Sequence, residues 1–353
     1  MKTLHRRTEE IALALVALLI LAVMPLSLDP FRLNLLGKYM AFAFVAIGIV
    51  LTWGYCGVLS LGQGIFFGLG GYMMAMFLKL EASAPELPDF MVWSSVDSLP
   101  VWWLPFHSLG WTLLLIVALP GAAAYLFSLA IFRKRVGGVY FAIVTLALAM
   151  TLTVLIIGQQ GDTGGANGIT DFRTLLGWDI VGDDGKQVLY LVEAAVLTLA
   201  MVAALFIVRS RLGKILIAIR DREDRVRFSG YDTAHVKACV FCVAAILSSI
   251  GGAFFTLQVG LISPGAIGVV ASIEMVIYAA VGGRLSIPGA VVGALLIGFL
   301  KSYLSETFPE IWLYFLGAIF IVVVVAMPNG LAGVVSQLQA VSYTHLTLPT
   351  ILL

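Results

Sequence analysis

Ten runs of apolar residues, most of them near the length of a bilayer crossing, fill the greater part of this chain, and most charges fall between them. The runs cover 11–28, 36–53, 61–78, 109–132, 139–157, 188–208, 238–259, 273–283, 287–300 and 311–327. A helix needs about 20 such residues to cross the hydrocarbon core. Lipid offers no partner to a free backbone amide, so helices are the predicted form, and the alternation of a barrel strand is absent. Only 12% of the 353 residues are charged, against about 25% in soluble domains, too few to cover a water-facing globule. The predicted fold class is an all-α integral membrane protein of about ten transmembrane helices, some broken or re-entrant, in a single domain over residues 1–333. The basic N-terminus and first run resemble a signal peptide. No small-x-small cleavage site follows, so the run is read as a retained span.

Lysine and arginine are shared unequally between alternate connections. With the N-terminus inside, the inner segments hold fifteen: Lys2, Arg6, Arg7, Arg133, Lys134, Arg135, Arg209, Arg211, Lys214, Arg220, Arg222, Arg225, Arg227, Lys237 and Arg284. The outer segments hold six, Arg32, Lys38, Lys79, Arg173, Lys186 and Lys301. Positive charge favours cytoplasmic loops, which puts both termini in the cytoplasm. Eight of the inner cations lie in one stretch, 209–237, together with Asp221, Glu223, Asp224 and Asp232. Such a stretch stands in water. Composition alone describes a solvated basic loop; a docking surface for a protein partner gives the charges a role.

The outer connections 81–108 and 158–187 are long; the first is rich in Pro and Trp, the second in Gly. Loops of that length are solvated connectors, lids or binding faces. Glycine is densest in 54–71, where Gly54, Gly57, Gly62, Gly64, Gly68, Gly70 and Gly71 mark close packing or a broken helix beside a cavity. Gln63 lies among them and needs a partner or a polar solute. A second interruption runs from Pro264 to Gly289, and its two apolar pieces are predicted to be short for full spans. Broken helices in corresponding places of two halves point to a midplane site. The strings GVLSL (57–61) and GRLSI (283–287) hint at such a repeat. Glu274 is read as the one charge well inside a span, and Glu193 as interfacial.

Soluble-enzyme motifs are missing. There is no GxxxxGK[ST], so this chain does not itself cradle ATP in a P-loop, and neither HExxH nor GxSxG occurs. Cys239 and Cys242 have the spacing of a redox or metal pair, but no further Cys or His completes a site, and they read as small apolar residues. No metal site and no nucleic-acid surface is expected.

Four stretches, 59–72 (LSLGQGIFFGLGGY), 135–147 (RVGGVYFAIVTLA), 163–169 (TGGANGI) and 211–232, resemble the LivM-type permeases of branched-chain amino-acid ABC importers, over about residues 33–333. Within that family, 55–81 and 308–320 (FPEIWLYFLGAIF) are most similar to the UrtC-type permeases of urea importers. The resemblance implies a pore made with a second permease of the same family, two cytoplasmic ATPases that hold ATP-Mg, and a periplasmic substrate-binding protein. It also implies the bacterial inner (plasma) membrane and no cofactor on this chain. Residues 211–232 resemble the coupling segment, so 215–230 is expected to form a short helix and turn seated on an ATPase through Ile215, Ala218, Arg220, Asp221, Glu223, Asp224 and Gly230. For a small neutral solute such as urea, Gln63, Tyr72, Thr145 and Tyr278 are the expected path residues, with Glu274 beside them. Branched-chain or other neutral amino acids and small amides are the alternative solutes. A passive urea or polyol channel is the rival of a different class, and it leaves the charged segment without a role. Residues 334–353 depart from the family, and 342–353 (SYTHLTLPTILL) look unlike the rest of the chain.

Overall fold

Each apolar run becomes a helix in the computed structural model, which describes residues 2–327 and 329–334. Residues 335–353, with most of the atypical tail, lie outside the described residues. The membrane helices are α1 (Thr8–Ser27), α2 (Pro30–Tyr55), α3 (Gln63–Ser83), α4 (Leu109–Arg133), α5 (Val139–Gly158) and α6 (Asp183–Arg209). The charged stretch forms α7 (Arg211–Phe228). There follow α8 (Thr233–Val259), the short α9 (Val269–Gly282), α10 (Ile287–Thr307) and α11 (Trp312–Ala326). Eight of these are long and apolar enough to cross a membrane; α9 and α11 are shorter. The piece after Pro288, expected to be short, runs on to Thr307 as a helix of 21 residues, because the helix continues through polar residues that end the apolar run.

Helix α8 is the centre of the bundle, packed against α2, α3 and α4, while α2 also meets α6, α9 and α10. Lipid removes the hydrophobic drive between helices, so close backbone approach carries the packing. At the α3–α8 contact a Cβ on Gly252 would stand 1.8 Å from the Phe67 carbonyl oxygen. Side chains that face away from the bundle, such as Leu114, Val117, Ile143, Val154 and Leu199, are apolar and exposed, as a lipid-facing surface requires.

The predicted break in the glycine-dense stretch is narrower than expected. Helix α2 ends in π-type turns over Val50–Tyr55. Residues 56–62 are non-helical, and α3 then runs unbroken from Gln63. The second break, 283–286, joins α9 to α10. Both breaks fall on the repeated string, and Gly57 (φ +76°) and Gly283 (φ +123°) begin the strings with backbone conformations that L side chains rarely adopt. Ser60 and Ser286 then turn their hydroxyls onto the amides of Gly62 and Gly289.

Two small antiparallel pairs tie the connections at the end away from the two breaks. Strand β1 (Ile169–Thr170) pairs with β4 (Leu261–Ile262), Ile169 opposite Ile262, and β2 (Thr174–Leu175) forms a hairpin with β3 (Trp178–Asp179). Glu81, at the end of α3, accepts from the amides of Leu176 and Gly177 at 2.9 and 2.7 Å, which fixes that hairpin over α3. The connection after α3 is also ordered, with Met91 and Trp103 fully buried.

Candidate functional site

On α9, Glu274 turns inward, 6% exposed, and its carboxylate lies 2.7 Å from Lys301 Nζ of α10. Lys38 of α2 is within electrostatic reach of both. The three line a cavity of about 270 Å³ whose apolar wall is Phe42, Phe255 and Tyr278. Phe42 stacks on Phe67 at 5.2 Å between ring centroids and meets Tyr278 at 5.4 Å. Two cations face one anion, so with all three charged the cavity carries a net positive charge. The expectation that Glu274 is the one charge within the spans is therefore corrected. Lys38 and Lys301 were both counted with the outer segments; Lys301 lies where α10 continues past its apolar run, and Lys38 lies near the start of the run 36–53, inside α2.

The other predicted path residues fall into two groups. Gln63 is the first residue of α3 and is fully buried; its Oε1 accepts from Ser248 Oγ of α8 at 3.0 Å, and its Nε2 has no partner. Tyr72 and Tyr278 are buried with hydroxyls that also lack a partner. Among the described residues, five buried side-chain polar atoms are unpartnered, and these three donors are among them. Thr145 differs. Its hydroxyl donates to the Ala142 carbonyl and accepts from the Leu61 amide at 3.1 Å, so it holds the first break in place. The structure thus joins Glu274 and Tyr278 at one cavity and Gln63 and Thr145 at one break.

Glu193 is fully buried, not interfacial, because its face of α6 packs inward, where Gln258 Nε2 of α8 donates to it at 2.8 Å. Asn34 of α2 donates to the side chain and carbonyl of the same Gln258. This cluster, Ser248 and the two lysines were missed. A larger, open hollow of about 690 Å³ lies between Phe77, Glu81, Phe106 and Leu176. Its carboxylate is already taken by the hairpin amides.

At the opposite end, α7 starts on Ser210, whose hydroxyl accepts from the Leu212 amide, and bends at the non-helical Arg222. Leu216 and Ile219 anchor it; Gly230 (φ +87°) makes the turn, and Asp232 caps α8 through the amides of Ala234 and His235. Of the expected docking residues, Ala218, Arg220, Asp221, Asp224 and Gly230 are exposed, Ile215 and Glu223 are half-buried, and Arg220 Nε donates to Asp221 at 3.1 Å. Two of these also reach the membrane part. Glu223 binds Lys237, Thr233 and Arg227, and Arg220 Nη1 donates to the Gly54 carbonyl at 2.9 Å. A guanidinium near an unbonded helix-end carbonyl gains a charge-assisted hydrogen bond there. Burial pushes the Glu223 carboxyl up, but bonding and charge from Lys237, with Thr233 and Arg227, outweigh it and hold it below the ordinary carboxylate value.

Membrane-length helices around two matched breaks, with a polar cavity toward one end and a capped, charged helix at the other, define a multi-pass membrane transport subunit. The chain belongs to the family described as branched-chain amino acid transport system permease component, whose model matches residues 31–324. It is similar to the high-affinity branched-chain amino acid transport system permease protein LivM of Escherichia coli K12, 26% identical over 344 residues that cover 90% of this chain and 74% of the relative. BraD of Pseudomonas aeruginosa, of the same description, is 23% identical over 297 residues, 83% of this chain and 91% of the relative. LivH of Escherichia coli K12 is 24% identical over 305 residues, with the same two coverages. No solved structure is significantly similar.

Proposed function

We propose that this chain is a permease subunit of an ATP-driven importer in the inner membrane, and that it moves a small polar solute of no net charge by alternating access. The observation that carries the solute class is that three of the four buried donors without protein partners among the described residues, Gln63 Nε2, Tyr72 OH and Tyr278 OH, belong to the expected path; the fourth is Trp103 Nε1 in the connection after α3. A buried donor left unpaired costs about 1–3 kcal/mol, and a carbonyl-bearing solute passing by would satisfy it. Urea fits these donors, and the resemblance of 55–81 and 308–320 to urea-importer permeases supports it. The second reading is a branched-chain amino acid. It is favoured by the names of the relatives and by Lys38, Glu274 and Lys301, which suit a carboxylate and an ammonium on one molecule.

The assembly in this reading is the family's: a second permease of this kind, two cytoplasmic ATPases carrying ATP-Mg, and a periplasmic binding protein. Helix α7 faces the ATPases, and both termini lie in the cytoplasm. ATP binding would close the ATPases, displace α7 and shift the helices between inward- and outward-open states; hydrolysis would reset them. The test is uptake of labelled urea and labelled leucine, in separate and competing assays, by cells with and without the chain. Urea uptake that leucine does not compete with supports the first reading, and the reverse supports the second. Undiminished uptake in cells lacking the partner ATPases overturns both in favour of a passive channel.

A further inference from the structure

The two helix breaks and α7 are bonded into one chain of contacts at the same end of the molecule. At the end of α2 the amides that follow Gly54 bond elsewhere, Gly57 N to the Trp53 carbonyl and Val58 N to the Thr52 carbonyl. The Gly54 carbonyl instead accepts from Arg220 Nη1 at 2.9 Å. The stem of Arg220 lies against Gly57, where a Cβ would meet Arg220 Cγ at 2.8 Å. The same short segment grips the second break. A Cβ on Gly54 would fall 1.7 Å from the Arg284 carbonyl oxygen, so the two backbones touch. Beside it the Tyr55 hydroxyl donates to the Leu285 carbonyl at 2.8 Å, and the Arg284 guanidinium lies 5.9 Å from the Trp53 ring centroid. One break leads into α3, which starts with Gln63; the other separates α9, with Glu274 and Tyr278, from α10, with Lys301.

We infer that Arg220 is a positioning residue that ties α7 to both breaks, so that displacement of α7 reaches the cavity-lining helices through the Gly54 carbonyl and the Tyr55–Leu285 bond. The inference rests on α7 being the ATPase-facing segment, and it assigns Arg220 to transmission and not to docking. Two discrete packing states joined by bonded segments are the physical requirement for such coupling. Arginine suits the place because its planar fork donates while its stem packs on the Gly57 backbone.

The test uses the importer assembled with its partner subunits and compares Arg220→Ala, Arg220→Lys, Tyr55→Phe and the exposed-face change Asp224→Arg. Three quantities are read: co-purification of the ATPases, ATP hydrolysis, and the change in amide exchange at 57–62 and 283–287 on trapping with ADP-vanadate. Uptake of labelled urea and leucine is recorded alongside. For Arg220→Ala we expect co-purification intact, hydrolysis within about twofold of the parent, and the vanadate-induced exchange change at 283–287 lost. Any measurable uptake falls at least tenfold, and Arg220→Lys recovers part of both. Tyr55→Phe keeps the response at 57–62 and loses it at 283–287. An unaltered response at 283–287 in Arg220→Ala or Tyr55→Phe overturns the inference, as does loss of co-purification in Arg220→Ala. If Arg220→Ala does not fold, Tyr55→Phe alone decides. If Asp224→Arg leaves co-purification intact, the docking reading of α7 fails, separately from the bond network.

Discussion

Tyr72 and Tyr278 keep hydroxyls in the interior with no protein partner, which makes phenylalanine the informative replacement. Removing an unbonded buried hydroxyl relieves a desolvation cost, so Tyr72→Phe and Tyr278→Phe should leave the melting temperature in detergent unchanged or raised. Uptake should nevertheless fall about tenfold for each, the equivalent of about 1.4 kcal/mol. A fall in stability matching the loss of uptake would mean that the hydroxyls serve the fold. Glu193 behaves differently, since its partner Gln258 also holds Asn34. Glu193→Ala strands a buried amide and should cost about 1–3 kcal/mol in detergent unfolding, while Glu193→Gln, which keeps an acceptor, should cost less. At this scale the sequence showed the residues but not their company. Gln63 and Glu274 stood out because a polar group in lipid needs a partner. Lys38, Lys301 and Gln258 did not, because they sit near the ends of apolar runs and their partners lie on other helices.

Helix existence was legible throughout, because lipid leaves the backbone no alternative; helix ends were less so. Windows of apolar residues stop at the first lysine or serine, whereas α10 runs on through Lys301, Ser302 and Glu306 to Thr307. The glycine-rich stretch signalled a break without locating it, since φ at Gly57 depends on what packs against it. Glycine at the α3–α8 contact has a measurable consequence. Gly252→Ala forces a methyl into the Phe67 carbonyl and should destabilise by about 1–3 kcal/mol. Gly317→Ala on α11, with nothing within 4 Å, should be neutral or slightly stabilising in the same unfolding assay. Helix α7 makes a pH prediction. The Glu223 carboxyl is held below its ordinary value of 4.5, so it contributes stability above that pH and loses it as pH falls through the lowered value. Melting temperature should therefore drop in acid below about pH 4.5, and Glu223→Gln should flatten that part of the profile.

For the whole molecule, we expect one orientation on the ground of charge and geometry together. Residue Glu10, the first break, α7 and the second break share one end, joined by Glu10–Arg209, Arg220–Gly54 and Tyr55–Leu285. The cations assigned to inner connections collect there, and we expect that end in the cytoplasm. Single cysteines at Lys134 and Asp97, in a variant lacking native cysteines, should label with a membrane-impermeant maleimide from opposite sides of the cell membrane. Labelling of Lys134→Cys in intact cells would reverse the orientation.

The length of α9 bears on all of this. Fourteen residues rise about 21 Å, well short of the roughly 30 Å of hydrocarbon that a crossing demands. Its depth is therefore set by its tethers, the β1–β4 pair at one end and the 283–286 break at the other. A cysteine pair at Ile169 and Ile262, which face each other in that ladder, should close a disulfide and stop uptake reversibly without unfolding the bundle. The cavity wall that carries Glu274 and Tyr278 is part of this short rod, so any shift at either tether would be felt at that wall.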